Sequence, residues 1–311
     1  MRVSIGIKIC ILLFFFLPEV GQAAPDVSAS QAILMDAESG EILFEKEAYE
    51  ERPIASITKI MTALIAIESG KWEEETVVSR NAIYTEGSSI YLEQGEKIKI
   101  KDLVYGLMLR SGNDAAVAIA EHIGGSEEGF VFLMNEKAKW LGMNHTNFMN
   151  PHGLDHEEHY SSAYDMAILT RVALKNEMFR EVSGATSYLS ENRSYSWRNK
   201  HKLVTGYYSH ANGGKTGFTK RTGSTLVTTA EKNGHTLIAV TLNAPNDWND
   251  HISLFEWGFN LMEQRKMEKL KQNLDLPFLE DEAATTLYIE EKDLFTSMTN
   301  IFRKMVGIDQ W

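Results

Sequence analysis

A chain of 311 residues with 43% hydrophobic and 24% charged residues is long enough for one large globular domain, and it is too apolar for a disordered or fibrous protein. Its formal net charge of -12 argues against a nucleic-acid partner, because duplex binding asks for a basic face. A well-solvated surface accounts for the acidity.

The chain begins with Arg2 and Lys8, then an apolar run from Ile9 to Leu17, then the small-residue stretch Gly21-Gln22-Ala23. This is the pattern of a secretory signal peptide over residues 1–23, cut after Ala23. The competing reading is a retained membrane anchor, but the run falls short of the ~20 residues that a span takes. The single cysteine, Cys10, lies inside this segment. The mature chain is therefore expected to be extracytoplasmic, with neither a disulfide nor a thiol nucleophile.

Ala32 to Asp36 and Glu41 to Glu45, joined by Ala37-Glu38-Ser39-Gly40, read as a hairpin. A helix is predicted from Ser56 to Ile67, ending at Ser69-Gly70. Helical spacing recurs over Asp102 to Leu109, Asp114 to Ile123, Glu127 to Leu141 and Ala163 to Leu174. Thr225 to Ala230 and Thr236 to Leu242 are β-rich and flank Asn233-Gly234, a strong hairpin signal. Asp250 to Met262 reads as a closing helix. A short opening hairpin is hardly stable alone. The expected fold is therefore α+β: one antiparallel sheet built from both ends of the domain and packed against helices, with a helical lobe.

The expected catalytic domain covers residues 24–265. Residues 266–290, which include Glu280-Asp281-Glu282, read as an acidic linker. Residues 291–311 read as an amphipathic helix on which Leu294, Phe295, Met298, Ile301, Phe302 and Met305 form a stripe. Arg303, Lys304 and the terminal Trp311 suit peripheral contact with an anionic membrane surface. Packing on the catalytic domain is the competing role for that helix.

Three short motifs carry the chemistry: Ser56-Ile57-Thr58-Lys59, Ser111-Gly112-Asn113 and Lys215-Thr216-Gly217. Each alone is common, but the set in this order is specific. Residues i and i+3 of a helix share a face, so the Ser56 hydroxyl and the Lys59 amine can meet. A serine needs a base to become a nucleophile. A lysine becomes that base only if its pKa falls from about 10.4, and reaching neutrality costs about 4.6 kcal/mol. Burial and a nearby cation can supply the shift. Taken alone, Ser56 would read as a plain N-cap with a solvated Lys59.

Lys215 follows Asn212-Gly213-Gly214 at the start of the β-rich section. The flanking glycines are expected to let a substrate backbone approach, with Lys215 holding a carboxylate as a point charge. A cationic Lys215 would also help keep Lys59 neutral. The bland alternative is an exposed lysine on an edge strand. Ser111 and Asn113 fall between helices, where a second hydroxyl can relay a proton and an amide can orient substrate or ammonium. The alternative there is Asn113 or Asp114 capping the next helix.

With these motifs, and with Asn150-Pro151-His152-Gly153-Leu154-Asp155, His159 to Ala167 and Gly214 to Thr219, the chain resembles the low-molecular-mass penicillin-binding proteins with D-alanyl-D-alanine carboxypeptidase activity. The resemblance covers about Ala32 to Met262. It implies a β-lactamase/transpeptidase-like fold and an acyl-enzyme on Ser56, with Lys59, Ser111 and Asn113 catalytic and Lys215, Thr216 and Gly217 binding substrate. The implied partners are D-Ala-D-Ala ends of peptidoglycan stem peptides, with β-lactams as acylating inhibitors. The implied oxyanion hole comprises the Ser56 amide and one from the strand after Lys215. No cofactor and no metal are implied.

Other readings stay open. A DD-endopeptidase would use the same residues. A class A β-lactamase would need a glutamate to activate water, and residues 150–155 have none. A non-catalytic penicillin-binding sensor would acylate without turnover. A zinc peptidase would draw on His152, Asp155, His156 and His159, but His156-Glu157-Glu158-His159 is not the His-Glu-x-x-His order.

Overall fold

The computed structural model describes residues 23–273. Residues 1–22 of the expected signal peptide, and residues 274–311 of the expected linker and terminal helix, lie outside the described residues. The chain divides into two compact units, Met1–Leu261 and Met262–Trp311, and every site residue belongs to the first.

The opening hairpin forms as β1 (Gln31–Asp36) and β2 (Ile42–Lys46). Asp36 folds its turn by accepting the Ser39 amide at 2.6 Å. A 3-10 turn (Ala55–Thr58) leads into α1 (Lys59–Glu68). A helical lobe follows, interrupted by one small ribbon: β3 (Glu75–Val77), α2 (Arg80–Ile83), β4 (Lys97–Lys99), α3 (Ile100–Tyr105), α4 (Asn113–Gly124) and α5 (Glu127–Leu141). Then come α6 (Ala163–Ala173), α7 (Glu177–Gly184) and the short pair β5 (Ser187–Tyr188) and β6 (Trp197–Arg198). The chain returns to the main sheet as β7 (Ala211–Thr219), β8 (Gly223–Lys232) and β9 (His235–Leu242), and α8 (Asp247–Asn273) closes it. Residues 266–273, expected as linker, are thus helical.

The main sheet runs β2-β1-β9-β8-β7, antiparallel throughout. The first and last segments of the domain therefore meet as β1 and β9, and the sheet is built from both ends as expected. The turn between β8 and β9 has Asn233 at φ 53° and Gly234 at φ 80°, the two left-handed residues that a tight hairpin demands.

Side chains alternate across the sheet. Ile33, Met35, Ile238 and Val240 enter one core with α1, α4 and α6. Ala32, Leu34, Leu237 and Ala239 enter a second core with Leu254, Phe255 and Phe259 of α8. Because both faces are covered, all six residues of β1 are buried. β7 is left as an edge strand, and the 3-10 turn that carries Ser56 packs beside it. Short polar caps start the helices: Ser126, Ser162 and Asn176 accept the amides of Gly129, Asp165 and Phe179. No helix among the described residues is long and apolar enough to cross a membrane.

Candidate active site

Ser56 was expected to open an α-helix, but it sits in the 3-10 turn that precedes one. Three residues per turn bring i and i+3 into register, and the Lys59 Nζ lies 2.9 Å from the Ser56 Oγ. Ala55, just before Ser56, has φ 49°, a left-handed conformation costly for a residue with a Cβ. The surroundings impose it. Thr58 Oγ1 donates to the Ala55 carbonyl at 2.7 Å, and His159 Nε2 lies 2.8 Å from Thr58 Oγ1. The Met149 amide donates to His159 Nδ1, so the ring carries its proton on Nε2 and gives it to Thr58. Burial pushes His159 down to about 3 and keeps it neutral. On the other side, Thr225 Oγ1 of β8 donates to the Ile54 carbonyl at 2.9 Å.

Lys59 is completely buried. Its amine faces three acceptors: Ser56 Oγ, Asn113 Oδ1 at 2.7 Å, and the His152 backbone carbonyl. Burial drives its pKa well below the ordinary lysine value, and the nearby charges of Lys215 and Lys200 push the same way against Asp114. A neutral amine has two N–H donors and one lone pair. With the donors on Asn113 and His152, the lone pair is left for the Ser56 hydroxyl proton. That is the geometry of a general base.

Asn113 does not cap α4; the cap position is Gly112, which has no side-chain bond. The Asn113 Nδ2 donates to the Glu86 carbonyl at 2.5 Å, and this fixes the amide with its oxygen toward Lys59. The predicted helix over 102–109 is in fact α3 followed by a π turn, Gly106–Arg110. The turn ends on Ser111 at φ 64°, and this reversal aims the Ser111 hydroxyl at Lys215. Buried Asp114 accepts from Ser89 Oγ and from the Ile90 and Leu92 amides, so it braces the loop that holds Glu86.

Lys215 is not the exposed edge-strand lysine of the bland alternative. It is 1% exposed rather than a solvated edge cation. Burial first, and Lys200 second, push its pKa down to about 7. Its amine donates to Ser111 Oγ at 3.1 Å and to the Thr216 carbonyl at 2.7 Å. Thr216 is half-buried on the same edge strand. Gly213 and Gly214 do not open a path for substrate, because a Cβ on them would meet Ser183 Oγ at 2.8 Å and the Val227 carbonyl at 2.1 Å. The close approach that matters is at Gly217, where a Cβ would lie 2.9 Å from the Ser56 amide nitrogen. Glycine there lets β7 lie against the turn that carries Ser56.

The four residues of the zinc-type reading are used separately. His152 Nδ1 accepts the Leu154 amide, His159 supports Thr58, His156 Nδ1 accepts the Glu158 amide, and Asp155 Oδ1 takes Thr219 Oγ1. Among the described residues no group of three or more His, Asp or Glu side chains is placed to hold a metal ion. The structure adds residues that local sequence did not point to: Glu86 and Lys200, and His201, whose Nε2 lies 3.0 Å from the Val227 carbonyl and 3.1 Å from Thr228 Oγ1.

A family model described as D-alanyl-D-alanine carboxypeptidase matches residues 19–246. The chain is 38% identical over 257 residues to D-alanyl-D-alanine carboxypeptidase DacF of Bacillus subtilis (strain 168), covering 79% of this chain and 66% of DacF. It is 34% identical over 275 residues to DacC of Escherichia coli K12, covering 81% and 67%. The chain thus spans about two thirds of the length of these curated relatives. The crystal structure of a D-alanyl-D-alanine carboxypeptidase from Mycobacterium tuberculosis H37Rv is similar, with a TM-score of 0.74 and 30% identity, over 78% of this chain and 95% of that one. The Streptomyces K15 DD-transpeptidase superposes with a TM-score of 0.72 at 28% identity, over 76% of this chain and 99% of its own. On the sequence match and the shared fold, this chain belongs to the peptidase S11 family of D-alanyl-D-alanine carboxypeptidases.

Proposed function

We propose that this protein is a serine-type D-alanyl-D-alanine carboxypeptidase that removes the terminal D-alanine from peptidoglycan stem peptides. The observation that carries this reading is the Lys59 amine at 2.9 Å from the Ser56 Oγ, buried and already donating to two fixed carbonyl oxygens. Ser56 attacks the carbonyl of the penultimate D-alanine while its proton passes to Lys59. The Ser56 amide and an amide of β7 face the oxyanion. The C–N bond then breaks, and the departing amine of D-alanine takes a proton through Ser111. Asn113 orients Lys59, while Lys215, Thr216 and Gly217 bind the substrate end, with Lys215 on its carboxylate. Water hydrolyses the ester and frees Ser56. A β-lactam acylates the same hydroxyl.

The test is release of D-alanine from a diacetylated Lys-D-Ala-D-Ala peptide by the mature protein. Ser56→Ala should abolish both this release and covalent labelling by a fluorescent penicillin, with an unchanged circular dichroism spectrum. Stoichiometric labelling of the variant would place the nucleophile elsewhere.

In this reading residues 1–23 direct secretion and residues 291–311 hold the enzyme at the outer face of the membrane. Truncation after Glu282 should then leave D-alanine release intact and abolish co-flotation with anionic vesicles. A truncated protein that is unstable would assign the tail to the fold instead.

A further inference from the structure

Beside the catalytic cleft lies a cavity of about 230 Å³, lined among others by Ser89, Tyr91, Arg110, Tyr195, Trp197 and Arg198. Resting on the carboxypeptidase reading, we propose that this cavity is an extended subsite for an acidic residue of the peptide N-terminal to the D-Ala-D-Ala end, with Arg198 and Arg110 meeting its carboxylate.

Placement is the first support. Arg110 directly precedes Ser111. Ser89 follows Ser88, whose carbonyl accepts the Asn113 amide at 2.7 Å. Lys200, two residues after Arg198, donates to Ser88 Oγ at 3.2 Å. The cavity and the catalytic groups therefore share one wall, the loop of residues 86–92.

Charge is the second. In a protein of net charge -12, the guanidiniums of Arg110 and Arg198 form none of the salt bridges seen among the described residues. Neither does Lys200. Arg110 spends one N–H on the Arg198 carbonyl at 3.2 Å, which leaves most of its fork of donors open. Arg110 is also close enough to help lower the Lys200 pKa, after burial. Three uncompensated cations beside a cleft form an attractive field for a carboxylate.

Shape is the third. Tyr91 is 77% and Tyr195 52% exposed, so each offers an aromatic face at the cavity rim. Tyr91 is held at φ 61°, with its amide donating to Ser89 Oγ at 2.7 Å and its loop pinned by Asp114. Strain of this kind persists where the surroundings fix it and is concentrated at functional sites. The floor is the buried Trp197.

The test compares two peptides with the wild-type enzyme: acetyl-γ-D-Glu-L-Lys-D-Ala-D-Ala, and the same peptide with the glutamyl α-carboxyl amidated. The acidic peptide should show kcat/KM about tenfold higher at low salt, and the preference should shrink at high salt, where such pairs are screened. In Arg198→Gln the ratio of the two kcat/KM values should fall toward one, and Arg198→Lys should keep part of it. Arg110→Gln should lower the ratio as well. Equal use of both peptides by the wild-type enzyme would overturn the subsite, and so would a variant that slows both peptides by the same factor. Failure to release D-alanine from either peptide would instead overturn the carboxypeptidase reading. The wild-type comparison depends on no variant folding.

Discussion

Two lysines meet in this cleft from opposite sides, and their settings differ. Lys59 comes from the packed helical lobe, at the junction of a 3-10 turn and α1, with three acceptors around its amine. Lys215 comes from the edge strand β7 and has two. Both are buried, so burial alone does not separate them. What separates them is what each amine faces. At Lys59 two carbonyl oxygens occupy the N–H donors of a neutral amine, and the third direction belongs to the Ser56 hydroxyl. At Lys215 the partners are the Ser111 hydroxyl and the Thr216 carbonyl, so an ammonium has one N–H left over. In the proposed mechanism, contact with Ser56 makes Lys59 the base, and a bound carboxylate makes Lys215 the anchor. A bound carboxylate would restore the Lys215 proton by raising its pKa from about 7.

The sharpest way to break this contrast is Lys59→Arg. A guanidinium keeps the positive charge but does not give up its proton near neutral pH. Acylation by a fluorescent penicillin should fall by about 10²–10⁴-fold, the range of a lost general base. A loss of less than tenfold would show that another group removes the Ser56 proton.

Lys215→Arg should cost less, about tenfold in kcat/KM, because the charge survives while the fit changes. Its diagnostic effect is on pH dependence. The proposed mechanism needs Lys59 neutral, which sets the acid limb of the kcat/KM profile, and Lys215 charged, which sets the alkaline limb near pH 7. The two limbs belong to a coupled pair. In Lys215→Arg the anchor stays charged, so the alkaline limb should move upward by more than one pH unit. An unmoved limb would mean that Lys215 does not titrate in this range.

The sequence made the three motifs legible because each is local. Ser56 and Lys59 are one turn apart, and Asn233-Gly234 names its own hairpin. The opening and closing strands could be joined into one sheet because a short hairpin needs partners. What stayed hidden depends on contacts across long separations. Nothing near Glu86 says that its carbonyl will fix the Asn113 amide. Nothing near His201 says that it will lie against Val227 and Thr228. The π turn before Ser111 was invisible for a different reason: residues 102–109 keep an apolar pattern that suits an ordinary helix, and the extra residue per turn leaves no mark on it. The flanking glycines misled because they fit both substrate approach and internal packing, and the packing partners lie on α7 and β8.

The smallest expected effect tests whether the two sides of the cleft act as one body. The loop that carries the His152 carbonyl ends at Asp155, and Asp155 Oδ1 accepts from Thr219 Oγ1 at 2.8 Å, at the end of β7. This bond links the roof of Lys59 to the strand of Lys215. It is exposed at Asp155, so water competes for it, and its net contribution should be modest. The strand end also holds itself, since the Thr222 amide donates to Thr219 Oγ1 at 3.0 Å. Asp155→Ala should therefore raise KM for the diacetylated peptide by about two- to fivefold and leave kcat nearly unchanged, because Lys59 keeps its acceptors while β7 is less well placed to hold the substrate. Thr219→Val should cost at least as much, because it also removes the acceptor of the Thr222 amide, and the double variant should be no worse than Thr219→Val alone, the signature of a shared interaction. If the two effects multiply instead, the residues act independently, and the two lysines are held in place by their own lobes without this bond.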